Sequence, residues 1–258
     1  MTNANYRHLL YSALSVAFVI IAWTAVTALN WVNPLFIPSP QKVWLAFAQI
    51  WQSGYKGHSL GLHVADSLFR LGSAFALAII TAIPLGLISG ASATIRALLD
   101  PFIEFYRPLP PLAYYTMLVL WLGIGDSSKI ALLYLAAFAP LYIAVVAGVR
   151  KVSIDRIRVA KTLGATRSKL YLHVLLPSSL PEIFTGIRTA IGVSYTTLVA
   201  AEMVAAMSGI GWMVLDASKF LRSDIIFAGI ILMGLIAIVI DSAIRLLERK
   251  LVPWSGKE

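Results

Sequence analysis

Cysteine is absent from this chain of 258 residues, and Asp, Glu, Lys and Arg together make up only 13% of it. Without cysteine there is no disulfide framework, no thiol chemistry and no thiolate ligand for zinc. A soluble domain carries about 25% charged residues, and this chain, with 59% hydrophobic residues, has too few to cover a surface in water. The composition therefore predicts an all-α integral membrane protein, because helices satisfy their own backbone hydrogen bonds in lipid.

Motifs of catalysis are also missing. The four histidines form no His-x-x-x-His pair, and neither a Gly-x-Ser-x-Gly elbow nor a phosphate-binding Walker loop occurs. We therefore expect no enzyme activity, no catalytic residue, no metal and no cofactor on this chain. The net charge of +9 lies at the ends of apolar runs. That pattern indicates membrane topology rather than nucleic-acid binding.

Apolar segments of about twenty residues are the main feature that is present. The first follows a single Arg7 and is too long for the hydrophobic part of a cleaved signal. We predict six transmembrane helices, at residues 9–29, 67–90, 102–122, 130–149, 183–206 and 225–246. Small residues near Gly86 and Gly90 are typical of close helix packing in lipid.

The basic residues predict the orientation. With both termini in the cytoplasm, thirteen of the 21 Lys and Arg residues fall on the cytoplasmic side, as the positive-inside rule requires. Six flank the opposite ends of the spans, and two lie within span ends. The six are Lys42, Lys56, Arg70, Lys129, Lys219 and Arg222.

A proline-flanked segment follows the first predicted span. Pro38 and Pro40 interrupt any helix there, and Ser39 between them can cap the next one. An apolar face then recurs at helical spacing, so this helix either lies in the outer membrane interface or is a packed connector. The residues of that face are Val43, Trp44, Phe47, Ile50 and Trp51.

Residues 150–169 carry seven basic side chains and one acidic one. Burying seven charges in lipid would cost on the order of 20 kcal/mol, so the segment must lie in water. Ser153 can cap a helix there, and Gly164 can end it. An apolar stripe continues beyond Gly164 until Pro177, where we expect the second helix to stop. The pattern predicts two short amphipathic helices joined at Gly164 on the cytoplasmic side.

The run from Arg158 to Gly164, with Leu-Pro ending at Pro177, resembles the cytoplasmic Glu-Ala-Ala loop of binding-protein-dependent ABC permeases. Arg158 and Val159 replace the first two residues of the family pattern, whereas Ala160 and Gly164 match it. Other segments, such as "YRPLPPLAYY", "LGATRSKLYLHVLLPSSLPEIFTGIRTAIG" and "LVAAEMVAAMSGIGWM", are similar to the nitrate/sulfonate/taurine branch of the family. Within that branch the motifs are most similar to taurine permeases.

The resemblance implies a type I importer (MetI-like) fold in the bacterial inner membrane. Residues 1–66 would form the first span and a periplasmic interfacial segment, and 67–258 the core domain with a coupling loop at about 150–181. The implied partners are a second copy, two cytoplasmic ATPase subunits that hold ATP and Mg, a periplasmic binding protein and membrane lipid. The residues implied to couple to the ATPase are Arg158, Ala160, Leu163, Gly164, Ala165, Thr166 and Arg167.

Several residues are candidates for the translocation pathway of taurine or a similar organosulfonate. Prolines can break a helix beside a cavity, and tyrosines combine an apolar ring with a polar tip. A carboxylate inside a span is costly and by default has a role. For Glu202 we consider two roles, meeting the substrate ammonium or hydrogen-bonding the Ser208–Gly209 loop. The candidates are Tyr106, Pro110, Pro111, Tyr114, Tyr115, Trp121 and Glu202.

Two alternatives stay open. One is the same architecture importing an alkanesulfonate, nitrate or an aromatic acid. The other is an ion-coupled carrier or an intramembrane enzyme, although a carrier is typically built from matched halves with ionisable groups at mid-membrane. Helical spacing also predicts two structural ion pairs, Glu104–Arg107 and Asp241–Arg245.

Overall fold

The structure, a computed structural model, describes residues 3–254, and side chains from residue 10 onward. Two residues used for the predicted orientation, Arg7 and Lys257, therefore lie outside the described side chains. All extended regular elements in the described part of the chain are helical. They are α1 (Asn3–Ala28), α2 (Pro40–Ser53), α3 (Leu60–Ala91), α4 (Ala93–Tyr106), α5 (Pro111–Leu122), α6 (Asp126–Lys151), α7 (Ile154–Thr162), α8 (Arg167–Leu170), a π-turn (Tyr171–Leu175), α9 (Leu176–Ala205), α10 (Ile210–Lys219) and α11 (Ser223–Leu251).

Five of these helical segments are long and apolar enough to cross a membrane. They are Leu10–Ala28, Leu60–Ala91, Asp126–Lys151, Arg167–Ala205 and Ser223–Leu251. The all-α membrane fold is thus confirmed, and each of the five contains or closely overlaps one predicted span. The six-span topology and the cytoplasmic termini stay predictions.

The predicted continuous span at 102–122 is wrong. The chain leaves α4 at Tyr106, and Pro110 and Pro111 open α5 as its N-cap and first residue. Proline lacks the amide donor that a continuing helix would need, so the helix restarts here instead of running through. With twelve residues α5 is only about 18 Å long. Arg107 falls in the break, and the predicted Glu104–Arg107 pair is not among the ion pairs of the described residues.

The chain divides into two compact units. The first combines the chain up to His63 with Met213–Met233. Within it the Trp23 indole donates to the Pro38 carbonyl at 2.9 Å, and the Tyr55 hydroxyl donates to Asp216 at 2.8 Å. Burial, together with that hydrogen bond, raises the pKa of Tyr55 above its ordinary value, so Tyr55 stays a neutral donor.

Helix α2 in this unit has two apolar faces. Ser39 caps it as predicted, accepting from the Lys42 amide at 3.4 Å. Val43, Ala46 and Ile50 are buried on one face. Trp44, Phe47 and Trp51 form an aromatic row on another, with ring centroids 6.0 and 6.4 Å apart, and both tryptophans are exposed. The residues predicted to form a single apolar face therefore fall on two faces, one buried and one exposed.

The second unit combines Val64–Trp212 with the chain from Gly234. Its main helix pair is α6 and α9, and α3 packs on α6 through small residues. A Cβ added at Gly86 would lie 2.6 Å from Val145 Cβ, and one at Gly90 would lie 2.6 Å from Val149 Cβ. Only glycine permits this approach, so the predicted role of Gly86 and Gly90 in close helix packing is confirmed.

The predicted pair of Asp241 and Arg245 is also confirmed. Arg245 Nη2 lies 2.6 Å from Asp241 Oδ2 within α11. Arg188 of α9 approaches the same carboxylate at 3.4 Å, so Asp241 links two helices of this unit.

Helix does not stop at Pro177, which corrects the prediction. Residues from Arg167 to Ala205 form one uninterrupted helical segment, with a π-turn immediately before α9. The π-turn widens the hydrogen-bonding pattern, and the Leu176 amide donates to the Tyr171 carbonyl. Pro177, which has no amide donor, follows directly after this π-turn, and local π adjustments of this kind accommodate a proline within a helix.

Candidate functional site

The turn between α7 and α8 carries the residues predicted to couple to an ATPase. Ser153 begins α7, accepting from the Arg156 amide at 3.5 Å. Gly164 ends it with φ +79°, and its amide donates to the Lys161 carbonyl at 3.0 Å. The Ala165 amide donates to the Ala160 carbonyl at 3.0 Å, which completes a Schellman motif. This confirms the predicted turn, because the left-handed backbone at Gly164 suits glycine.

Leu163 projects at this turn and is 83% exposed. A Cβ added at Gly164 would meet nothing within 4 Å. Thr166 begins α8, accepting from the Lys169 amide at 3.4 Å. The turn is thus a rigid, apolar-tipped corner with open space beside it. Residues 163–166 are called the elbow below.

Helix α7 presents two different faces. Ile154, Ile157 and Lys161 line a cavity together with Ala165 and Arg167 of the following segment. Val159 lies on the other side and is 57% exposed, near Arg158, which pairs weakly with Asp155 at 3.7 Å. Ala160 is half-buried between the two faces. The structure therefore brings all seven predicted coupling residues into one short segment, and their coupling role stays a prediction.

Arg70 of α3 is the centre of a buried polar network in the second unit. It is 4% exposed, and its guanidinium donates to carboxylates on two other helices. Nε lies 2.7 Å from Asp126 Oδ1 at the start of α6, and Nη1 lies 2.7 Å from Glu202 Oε1 on α9. Nη1 and Nη2 also donate to the carbonyl and hydroxyl of Ser208, at 2.9 and 3.1 Å. One side chain thus links three helices and the loop after α9.

Glu202 is 1% exposed, and both of its carboxylate oxygens are hydrogen-bonded. Oε1 accepts from Ser67 Oγ at 2.8 Å as well as from Arg70, and Oε2 accepts from the Gly211 amide at 2.9 Å. Ser67 Oγ in turn accepts from the Ile210 amide at 3.0 Å. This geometry favours the structural role among the two that the sequence left open, since Glu202 fixes the start of α10 beside the Ser208–Gly209 loop.

Sequence reasoning missed this network. Arg70 and Lys129 were counted only as basic residues on the outer side of the membrane, but both are buried. Lys129 Nζ donates to the carbonyls of Ile124 and Gly125 at 2.8 and 3.0 Å, and so satisfies the turn before α6. The available signal was the isolated Glu202, because a carboxylate within a span calls for a basic partner and Arg70 begins the uncharged run of α3.

The predicted pathway residues lie on three helices. Tyr106 is the last residue of α4, and Pro110 and Pro111 open α5. Tyr114 and Tyr115 follow on α5, where Tyr115 is buried against Leu132 and Ala201. Trp121, near the end of α5, is 68% exposed. Ala201 precedes Glu202, so the structure brings Tyr115 near the Arg70–Glu202 network.

No group of three or more His, Asp or Glu side chains able to hold a metal ion occurs between residues 10 and 254.

Comparison with known proteins identifies the class. Residues 82–253 match the family described as "Binding-protein-dependent transport system inner membrane component". The chain is 44% identical to the taurine transport system permease protein of Escherichia coli K12, over 97% of this chain and 92% of that protein. A putative aliphatic sulfonates transport permease of Bacillus subtilis is 34% identical, over 92% and 85%. A nitrate import permease of a Synechocystis species is 31% identical, over 95% and 90%.

The chain therefore belongs to the family of inner membrane permease components of binding-protein-dependent transport systems. This confirms the predicted branch, which contains permeases for taurine, sulfonates and nitrate, and with it the MetI-like fold and the inner-membrane location. The chain is an importer permease subunit. Its family consists of components of transport systems and not of enzymes.

Proposed function

We propose that this subunit forms the membrane pathway of an ABC importer for taurine or a similar small organosulfonate. The observation that carries the proposal is the 44% identity to a taurine permease along nearly the whole chain. Identity to the nitrate permease is 31% over a similar length, so sulfonate is the better-supported substrate class. The sulfonate permease of Bacillus subtilis, at 34%, lies between these two in identity, so an alkanesulfonate is the first alternative substrate.

Energy for transport comes from partner subunits. The chain has no Walker loop, so ATP and Mg belong to a cytoplasmic ATPase. The elbow offers that partner an exposed apolar tip at Leu163 on a corner held by backbone hydrogen bonds. Two permease copies, two ATPases and a periplasmic binding protein complete the importer, and the permease itself carries no catalytic centre or cofactor.

Transport follows from differential contacts with the ATPase. ATP closes the ATPase pair, the two elbows move together, and the spans change from an inward-facing to an outward-facing state. Substrate then leaves the binding protein and enters the pathway, and hydrolysis restores the inward-facing state. The elbow can bias this equilibrium only if it binds the ATP-bound and ATP-free partners with different free energies.

A transport assay tests the substrate. The permease, its ATPase and its binding protein are reconstituted in proteoliposomes, and ATP-dependent uptake of labelled taurine is measured. We expect saturable uptake that excess unlabelled taurine suppresses more strongly than alkanesulfonate, nitrate or an aromatic carboxylate does. Stronger suppression by one of the competitors would assign the importer to that substrate instead.

The same vesicles distinguish an importer from an ion-coupled carrier. Uptake by an importer requires ATP and the ATPase, whereas a carrier needs only an ion gradient. Uptake by the permease alone in a proton or sodium gradient would overturn the proposal.

Substitutions at the elbow test the coupling. Gly164→Glu adds a bulky charge in the left-handed conformation, and we expect it to abolish substrate-stimulated ATP hydrolysis and uptake together. Gly164→Asn is the matched control, because asparagine accepts this backbone conformation and open space surrounds the site. Full uptake by Gly164→Glu would reject the coupling role of the elbow.

A further inference from the structure

A cavity of about 850 Å³ lies on the inner side of the elbow in the second unit. Its walls come from the last residues of α3 and α6, the start of α4, the inward face of α7 and the segment after Gly164. Four cationic side chains line it, and no acidic side chain between residues 10 and 254 does. The four are Arg96, Arg150, Lys161 and Arg167.

These cations have few partners within the described chain. Arg96 contacts Asp100 at 4.0 Å, the limit of an ion pair, and Asp100 is not part of the cavity wall. Arg150, Lys161 and Arg167 make no ion pair between residues 10 and 254. Like charges around one cavity repel each other, and solvent reduces this repulsion at Arg150, Lys161 and Arg167, which are exposed. An anion placed among them would relieve it and gain charge-assisted hydrogen bonds.

The rest of the wall is apolar. Ile154 and Ile157 lie one turn apart on α7, and Leu170 and Leu175 face them from the segment after the elbow. Tyr171 adds a ring with a polar tip. A small inorganic anion would leave this apolar surface uncovered, whereas a ligand with a phosphate and a hydrocarbon part fits both kinds of wall.

The position along the helices indicates the source of such a ligand. Gly90 and Val149 line the cavity at the ends of α3 and α6, two helices able to cross the membrane. The seven basic residues of the neighbouring segment must lie in water, so the cavity is placed at the boundary where lipid headgroups lie.

The cavity and the surface expected to contact the ATPase overlap only in part, at Ala165 and Arg167, which line the cavity. Val159 and Leu163 point to solvent, and neither belongs to the cavity wall. An ATPase held at the elbow tip would therefore leave Ile157 and Lys161 available to a second ligand.

We propose that this cavity binds the phosphate headgroup of an anionic phospholipid, with the adjoining acyl chain on the apolar wall. The bound lipid braces α7 and the elbow against the ends of α3 and α6. The same chemistry could come from a soluble phosphate ester, and the test separates the two sources.

The test measures lipid binding to the full-length permease in complex with its ATPase. Native mass spectrometry follows the binding of phosphatidylglycerol, with phosphatidylcholine as the zwitterionic comparison. We expect retained phosphatidylglycerol, and a loss of affinity of about tenfold or more in Arg96→Gln/Lys161→Gln, because each basic side chain contributes strongly to anionic-lipid binding. The matched control is Lys169→Gln/Lys250→Gln, which removes the same charge at two exposed lysines outside both the cavity and the coupling residues.

Several outcomes would decide the question. Displacement of the lipid by millimolar glycerol 3-phosphate would assign the site to soluble phosphate esters. Equal losses in both double variants, or equal binding of both lipids, would overturn the proposal.

If the Arg96 variant does not fold, Arg150→Gln replaces it with the same expectation. Binding seen only without the ATPase would assign the cavity to an acidic surface of that partner and also overturn the lipid site. Because the readout is binding, failure here would leave the proposed transport function untouched.

Discussion

The Arg70 network and the basic cavity beside the elbow both contain basic side chains, but they differ in whether those side chains have acidic partners. At the Arg70 network, one arginine meets Glu202, Asp126 and Ser208 within 3.1 Å and is removed from solvent. At the cavity, four cations share a wall to which the described part of the chain contributes no acidic residue. Helices α3 and α6 contribute to both regions.

The difference indicates what each region does. A buried charge with a complete set of partners fixes one arrangement of its helices, since losing a partner is costly. At the cavity, Arg150, Lys161 and Arg167 form no ion pair within the described chain, so an arriving anion can order them. The network therefore holds helix positions, and the cavity is available to a ligand.

Breaking the network gives the largest expected effect on stability. In Arg70→Met, Glu202 stays buried without its cation, and we expect a loss of about 3–5 kcal/mol. Unfolding of the detergent-solubilised protein, followed by its thermal midpoint, measures this. Adding Glu202→Leu should recover part of the loss, because the uncompensated charge is then gone. A single variant as stable as the parent would show that the network does not hold the helices.

The next largest effect on stability is expected where α3 packs closely on α6, at the end of α3 that lines the cavity. Gly90→Ala would push a methyl group against Val149, and we expect a loss of about 1–3 kcal/mol. Gly72→Ala in the same helix meets nothing within 4 Å and should gain up to about 1 kcal/mol from higher helix propensity. Equal effects of the two substitutions in thermal unfolding would contradict the close approach of α3 and α6.

Asp126 is the exposed edge of the network, with 49% of its side chain accessible. Asp126→Asn keeps the shape and removes the charge, so we expect a loss of about 1 kcal/mol or less, because solvent already screens this pair. The comparison is Glu202→Gln, which neutralises a buried carboxylate and should lower the free energy of unfolding by clearly more. A larger loss from Asp126→Asn would place the centre of the network at the start of α6.

The smallest effect is expected at the cavity, and its sign differs. Lys161→Gln removes one of four like charges, so in lipid-free detergent the thermal midpoint should rise by up to about 2 °C. With phosphatidylglycerol added, the parent should gain more than the variant, because a ligand stabilises the state that binds it. A variant that gains as much as the parent would contradict the comparison.

Local features of this fold could be predicted from sequence. The positions of five apolar segments, the caps at Ser39 and Ser153 and the turn at Gly164 depend on residues close together in sequence. The pair of Asp241 and Arg245 is predictable for the same reason.

Contacts distant in sequence could not be predicted. Arg70 and Glu202 are 132 residues apart, and spacing carries no information about their meeting. Pro110 and Pro111 are typical of a helix break, but the prediction followed hydropathy and so placed the end of α4 and all of α5 in one span. The π-turn before Pro177 also has no single-residue signature, so proline was read as a stop.

The uninterrupted helix from Arg167 to Ala205 has a mechanical consequence. Its first turn adjoins the corner at Gly164, and its last turn carries the carboxylate of Glu202. With 39 residues it is about 58 Å long. No loop interrupts this segment, so a displacement at its elbow end passes along continuous helix toward Glu202, with bending concentrated at the π-turn and at Pro177 and Pro181.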